Sequence, residues 1–305
     1  MVETKRYFDA IDNAREIFEE DKFLAEKVPS CVVVGMQSVD KSAVLSRISG
    51  IRFPQDSEVC TRVAIELLRL RRSDDPSNLL TMKAGNHESK KIDKSNDAGI
   101  EQALKEAQKT ILQGRQFEDK MSVKIEKEDP DIPDVTLIDL PGVFFAKGQV
   151  DDALEQKVKS MISESVNNEI ALILHVIPVD QDTDTVSTWR YVREADKEQN
   201  RTISVLTKAD LALKDGKDTL AKRIQTISTE SKASECFVVH GAATNEDDER
   251  VQLEDVKLCI ERLQLGEPIS LGTAALSSFI QERMFDHIKD NLPNMRSMLE
   301  DQLFT

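Results

Sequence analysis

Apolar positions along the chain switch between two spacings. Between Tyr7 and Lys27, Phe8, Ile11, Ala14, Ile17, Phe18 and Leu24 recur at helical spacing with charged residues between them, which predicts an amphipathic helix ended by Pro29. "CVVVG" is apolar throughout, the pattern of a buried strand, and it runs into a short polar loop and then "KSAVLSRISG", a helix closed by Gly50. "RVAIELLRLRR" and "SVKIEKED" alternate apolar and charged residues, as half-exposed strands do. "DVTLIDLPG", "IALILHVIPV", "TISVLTKAD" and "ECFVVHGAA" are further apolar strands, each leaving a polar loop at its C-terminal end, with helical stretches such as "TVSTWRYVREAD" between them. Residues Lys83 to Lys120 are polar and helix-permissive, and from Thr273 a long amphipathic helix is expected, kinked or broken at Pro293.

Alternation of this kind predicts an α/β fold, a mostly parallel sheet covered on both faces, with ligands at the C-terminal edge of its strands. The first and last helices each carry an apolar stripe and are expected to pack together as a small bundle beside the sheet.

Composition narrows the class. With 305 residues and 39% hydrophobic content, the chain can build one large packed domain or two small ones. A formal net charge of -15 argues against a nucleic-acid partner, which calls for a basic face. No apolar run approaches the roughly 20 residues that span a bilayer, and the N-terminus lacks the apolar core of a signal peptide. The expectation is a soluble, cytoplasmic protein. Cys31, Cys60, Cys236 and Cys259 form no C-x-x-C pair and are expected to be buried or half-buried free thiols. No histidine pair has metal-binding helical spacing, so any metal is expected on hydroxyls, carboxylates and phosphates. The ending on "EDQLFT" suggests a piece of something longer.

Four turns carry candidate chemistry. A phosphate loop reads G-x-x-x-x-G-K-[ST]; here Gly35, Lys41 and Ser42 match, while Asp40 replaces the second glycine. Backbone N–H groups from Gly35 to Ser42 can cradle phosphate oxygens, Lys41 can neutralise them, and the Ser42 hydroxyl can bind Mg²⁺. The bland alternative is an ordinary strand-turn-helix. "LIDLPG" ends a strand at Asp139, which can hold a Mg²⁺-bound water, and offers the Gly142 N–H to a γ-phosphate; alone it is a mere Pro-Gly turn. In "LTKAD", Thr207 to Asp210, the carboxylate of Asp210 can accept from two donors of guanine while Lys208 lays its stem along the base. Thr61, in "EVCTR", can complete the Mg²⁺ shell or simply start a strand. Each turn is weak alone, but they occur in the order a guanine nucleotide needs.

On "GMQSVDKSAVL", "VCTR", "LIDLPGV", "RTISVLTKADL" and "HIKDNLPNMRSMLEDQL", the chain resembles the dynamin superfamily of large GTPases, across Val28 to Leu303. The resemblance implies a three-layer P-loop NTPase sandwich. Residues 1–28 and 273–305 would supply bundle helices, 29–272 the GTPase domain, and the stalk would be absent. It implies that Gln37 helps place the attacking water with Thr61 and Gly142, and that Ser38 helps hold a charge-compensating K⁺ or Na⁺. Nucleotide contacts would run through Gly35, Ser38, Val39, Asp40, Lys41, Ser42 and Ala43, then Asp139, then Thr207, Lys208, Asp210 and Leu211, with His240 and Gly241 in the last guanine loop, where the family often has Asn-Arg. Mg²⁺ would sit on Ser42, Thr61 and, through water, Asp139. Asp182 matches a loop that reaches a partner GTPase domain, although an acidic solvated loop reads the same way. GTP would be the substrate and GDP the product. Pairing of two GTPase domains and peripheral attachment to membranes, through segments outside this chain, are implied for the full-length protein.

Two departures qualify this. Asp40 adds bulk and charge where glycine lets the backbone approach phosphate; an uncompensated repulsion there is on the order of a few kcal/mol. Either it points at the phosphates or it swings into solvent. "FPQDSEVCTR" lacks the glycines common there. A degenerate nucleotide-binding module serving as scaffold is the rival expectation; an ATP-using kinase is disfavoured by Asp210 and by the lack of a lid-like arginine cluster.

Overall fold

Ten strands join in one sheet in the order β10-β9-β8-β7-β1-β6-β2-β5-β3-β4. They are β1 (Ser30–Gly35), β2 (Val63–Arg72), β3 (Leu79–Ala84), β4 (Lys90–Asp93), β5 (Glu118–Asp129), β6 (Val135–Asp139), β7 (Ala171–Pro178), β8 (Thr202–Thr207), β9 (Cys236–Val238) and β10 (Ile269–Leu271). The computed structural model describes residues 7–8, 10–11, 13, 29–53, 63–85, 87–112, 118–142, 152–181, 186–231, 236–241, 243, 245–263 and 269–303. Strands β10 through β6 run parallel. Beyond them β2 turns antiparallel to β6, β5 lies parallel to β2, and β3 and β4 close that side as a hairpin. The sheet is thus mostly parallel with a mixed flank, as an α/β sandwich allows.

The helices are α1 (Lys41–Ser49), α2 (Asp97–Leu112), α3 (Asp152–Asn167), α4 (Thr188–Ala195), α5 (Ala209–Lys214), α6 (Lys217–Ser231), α7 (Glu246–Leu263) and α8 (Thr273–Leu303). Strands β1, β7 and β8 are buried at every position, which is why they read as unbroken apolar runs. Separate apolar clusters line the two faces. One joins α1, α2 and α8 to the sheet through Leu45, Ile100, Leu276 and Met284; another seats Val158 and Ile162 of α3 on Val32 and Ile173.

The polar stretch 83–120 is not simply helical. It holds the end of β3, all of β4, α2 and the start of β5. β4, "KKID", is an edge strand with mostly exposed side chains, so no apolar alternation betrays it. At the N-terminus Tyr7, Phe8, Ala10, Ile11 and Asn13 are helical. Phe8 and Ile11 are buried in the cluster that holds Leu276, Ile280 and Ile288 of α8, and the Tyr7 ring meets Phe285 edge-on at 5.4 Å. Helix α8 runs on through Pro293 and is not broken there. Cys31, Cys236 and Cys259 are buried free thiols, and burial pushes the Cys31 thiol up to about 12; Cys60 lies outside the described residues.

Candidate functional site

The site edge is built first by the exit from β1. The chain leaves Gly35, turns through Ser38 and Asp40 with φ of 60° and 64°, and enters α1 at Lys41. A left-handed conformation is uncommon outside glycine, and Asp tolerates it better than most residues. Asp40 is the N-cap of α1 yet its side chain makes no capping hydrogen bond, and the first turn holds no acidic residue. The Asp40 side chain therefore does not compete with an anion for the amides of that helix start. Gly35 has no room for a side chain: a Cβ would stand 2.8 Å from Val39 Cγ2 and 2.9 Å from Val176 O. Lys41 is 8% exposed and folds back over the loop, its ammonium 3.4 Å from Met36 O.

Asp139 comes to the same place because β6 pairs with β1, Val33 opposite Asp139; its carboxyl is buried. The following turn rests on the phosphate loop. A Cβ on Gly142 would stand 2.8 Å from both Gln37 Cα and Gln37 N and 2.9 Å from Lys41 Nζ. Gln37 is half-buried, Ser38 exposed, and Ser42 half-buried at the start of α1.

β8 supplies the third wall. The Thr207 hydroxyl donates to Val39 O at 3.0 Å, tying this strand end to the phosphate loop. Lys208 has φ 60° and Asp210 lies in the first turn of α5, with Leu211 partly exposed beside it. After β9, His240 Nε2 lies 3.7 Å from Asp210 Oδ1, and Gly241 packs so closely that a Cβ would meet Ala43 Cβ and Asp40 Cβ at 3.2 Å.

Asp40 does not project freely into solvent. It is half-buried beside Gly241, whose Cβ would be 3.4 Å from Asp40 Oδ2. Burial raises its pKa; Lys208 and His240 oppose the shift, and Asp210 and Asp180 add to it. The carboxylate thus sits on the side of the loop where Lys208, Asp210, His240 and Gly241 gather. Asp180 and Glu249 belong to this edge and were not singled out in the sequence. Asp180 sits in a polar loop, and Glu249 is hidden in the acidic run "NEDDER", which reads as a solvated face. Thr61 and Asp182 lie outside the described residues.

The model of the dynamin family matches residues 31–209, more than half of the chain. The chain belongs to the dynamin family. Three of its candidate turns, at Gly35–Ser42, Asp139–Gly142 and Thr207–Asp210, lie along one edge of the sheet. Among curated relatives, it is 28% identical to an interferon-induced GTP-binding protein Mx of Epinephelus coioides, over 97% of this chain and 47% of that one. Mx1 of Oncorhynchus mykiss is 29% identical over 97% of this chain and 48% of its own. Mx1 of Ictalurus punctatus is 33% identical over 71% and 34%. This dynamin-family chain spans about half the length of such relatives. Among the described residues, no helix is long and apolar enough to cross a membrane.

Proposed function

We propose that this chain binds GTP and hydrolyses it to GDP and phosphate, and that nucleotide binding promotes pairing of two GTPase domains. The observation that carries the proposal is the meeting of Lys41, Gln37 and Gly142 at one point, with Asp139, Thr207 and Asp210 on the same strand edge. Membership of the dynamin family and likeness to proteins named for GTP binding support it.

In this proposal the uncapped amides of α1 and the Lys41 ammonium hold the phosphates, and donors aimed where charge develops lower the barrier. The Gly142 N–H and Gln37 position a water for attack. Asp210 reads the guanine edge, with Lys208 along the base and His240 and Gly241 closing it. A half-buried hydroxyl and a buried carboxyl are hard oxygen donors that suit Mg²⁺, so Ser42 and, through water, Asp139 would hold it, with Thr61 as a further candidate. When bound, Mg²⁺ would neutralise charge on the phosphates. Ser38 would help hold K⁺ or Na⁺, and Asp182 would face the partner domain. Coupling to membrane remodelling would need segments of a full-length protein.

A second proposal is favoured by Asp40. A carboxylate crowded against Asp210 and Gly241 opposes a bound base, so the domain can serve as a weak binder or scaffold. Calorimetry with GTP, GDP and ATP at saturating Mg²⁺ separates the two. Guanine-selective binding with phosphate release at high protein concentration is expected; absence of heat with all three nucleotides leaves the scaffold.

A further inference from the structure

Glu249 is only 2% exposed although it lies in an acidic run. Each of its carboxylate oxygens is used twice. Oε1 accepts from the His240 N–H at 3.0 Å and from the Thr273 hydroxyl at 2.8 Å. Oε2 accepts from Arg47 Nη2 at 2.8 Å and from the Thr273 N–H at 2.8 Å. Three separate parts of the molecule meet there. Arg47 is in the last turn of α1, whose N-terminus follows the phosphate loop; His240 begins the base-side loop; Thr273 is the first residue of α8.

The junction is built rather than incidental. Gly272 has φ +88°, a conformation L residues rarely adopt, and a Cβ there would stand 3.5 Å from Glu249 Oε2. Arg47 also donates to Ala243 O at 3.3 Å, so the base-side loop is held from two directions. A groove of about 770 Å³ lined by Arg47, Asn245, Thr273, Ser277 and Gln281 borders the first turns of α8. Glu249 itself is buried, so a partner that moves away leaves an acceptor site of the shared carboxylate unmet.

We propose that Glu249 is a positioning residue that couples the base-side loop to the start of the C-terminal helix. A ligand that fixes His240 and Gly241 fixes Thr273 through one carboxylate, and displacement of α8 loosens the same loop. The inference rests on the nucleotide-binding proposal above. Coupling is reciprocal: whatever factor the nucleotide adds to the order of α8, the order of α8 adds to nucleotide affinity.

Amide hydrogen exchange on the full chain, with and without GDP, tests it. In the natural sequence GDP is expected to slow the amides of Thr273 and Leu276 by about 5- to 150-fold, the usual range of coupling. Thr273→Val, which leaves the Arg47 and His240 contacts in place, should shrink that factor and weaken GDP binding together. Glu249→Gln should reduce it to about twofold or less. Because Glu249→Gln strands a half-buried guanidinium, Arg47→Met with Glu249→Gln provides a variant without that charge. If GDP binds yet slows these amides equally in the natural chain and all variants, or not at all in the natural chain, the coupling is refuted. If calorimetry finds no GDP binding to the natural chain or to Asp40→Gly, the nucleotide proposal falls first and this one with it.

Discussion

The two edges of the parallel sheet treat polar groups in opposite ways. At the N-terminal edge, Arg201 donates to the carbonyls of Asn168, Ala171, Val166 and Ala195 at 3.1, 2.9, 2.7 and 2.9 Å. Asp196 accepts from the Asn200 and Arg201 amides and the Thr202 hydroxyl. His287 of α8 bonds Ile170 O and Arg283 reaches Asn200 O. At the C-terminal edge, Ser38, Asp40 and Lys208 are left-handed without being glycine. Asp180 Oδ1 and His240 Nδ1 are buried with no hydrogen-bond partner among the described residues, and three carboxylates share one neighbourhood. The N-terminal edge is largely self-satisfied, although Gln199 there is also left-handed (φ 53°) with a buried Oε1 that has no partner among the described residues. The C-terminal edge gathers three left-handed residues and like charges in one place, the pattern of a functional site.

The comparison breaks most visibly if the closed edge proves dispensable. Arg201→Met leaves four carbonyls without their donor, at a cost of about 3–5 kcal/mol and a fall of about 10 °C in Tm. Thermal unfolding measures this, and the nucleotide affinity of the folded fraction should not change. A variant as stable as the natural chain would show that the saturated network contributes nothing.

Next in size is Gly142→Ala at the open edge. The new Cβ cannot coexist with Gln37 and the Lys41 ammonium where they stand, so one of them must shift. Phosphate release per domain should fall about a hundredfold, the usual effect of displacing one transition-state donor, with Tm nearly unchanged. Retained turnover would remove Gly142 from the proposed mechanism.

Much of this contrast could be read from the sequence, but unevenly. The buried strands β1, β7 and β8 announce themselves as apolar runs, and the turns after them carry Lys41 and Asp210 at fixed offsets. The edge strand β4 does not, because Ile92 is its single apolar residue and its other side chains are exposed. Glu249 was illegible for a different reason: its partners Arg47 and Thr273 are 202 and 24 residues away, and only the fold brings them together. The surroundings of Asp40 are set by residues such as Lys208 and Gly241, far away in the chain, which a one-letter code does not convey. Local pattern reveals strands and turns; the direction of a side chain and the partner of a buried charge belong to tertiary structure.

Asp40→Gly sharpens the contrast by removing the open edge's own carboxylate. GDP should bind about tenfold more tightly, since both the crowding against Gly241 and one like charge disappear. The natural chain should also gain affinity as pH falls below neutrality, because burial raises the Asp40 pKa and protonation neutralises it earlier than an ordinary carboxyl. In Asp40→Gly that gain should be absent. Equal affinity in both proteins at every pH would mean that the carboxylate is harmless to nucleotide binding.

The smallest effect concerns His175, which lies between the edges in the middle of β7. It is wholly buried, its Nε2 2.8 Å from Thr188 Oγ1 and its ring edge-on to Trp189 at 4.8 Å. Burial, reinforced by Arg193, lowers its pKa from 6.5 to about 3. The folded protein therefore holds this imidazole neutral where the unfolded chain would protonate it. Stability is complete above about pH 6.5 and declines as pH falls toward 3, by about 1 kcal/mol between pH 7 and 5.5. His287 at the closed edge has its pKa lowered too, chiefly by burial, with its bond to Ile170 O opposing, so it adds a loss of the same sign. His175→Gln should flatten the slope of Tm against pH in this range without abolishing it. If the slope is unchanged, acid sensitivity comes from the closed edge, and the connection from β7 to α4 on the site side is indifferent to protons.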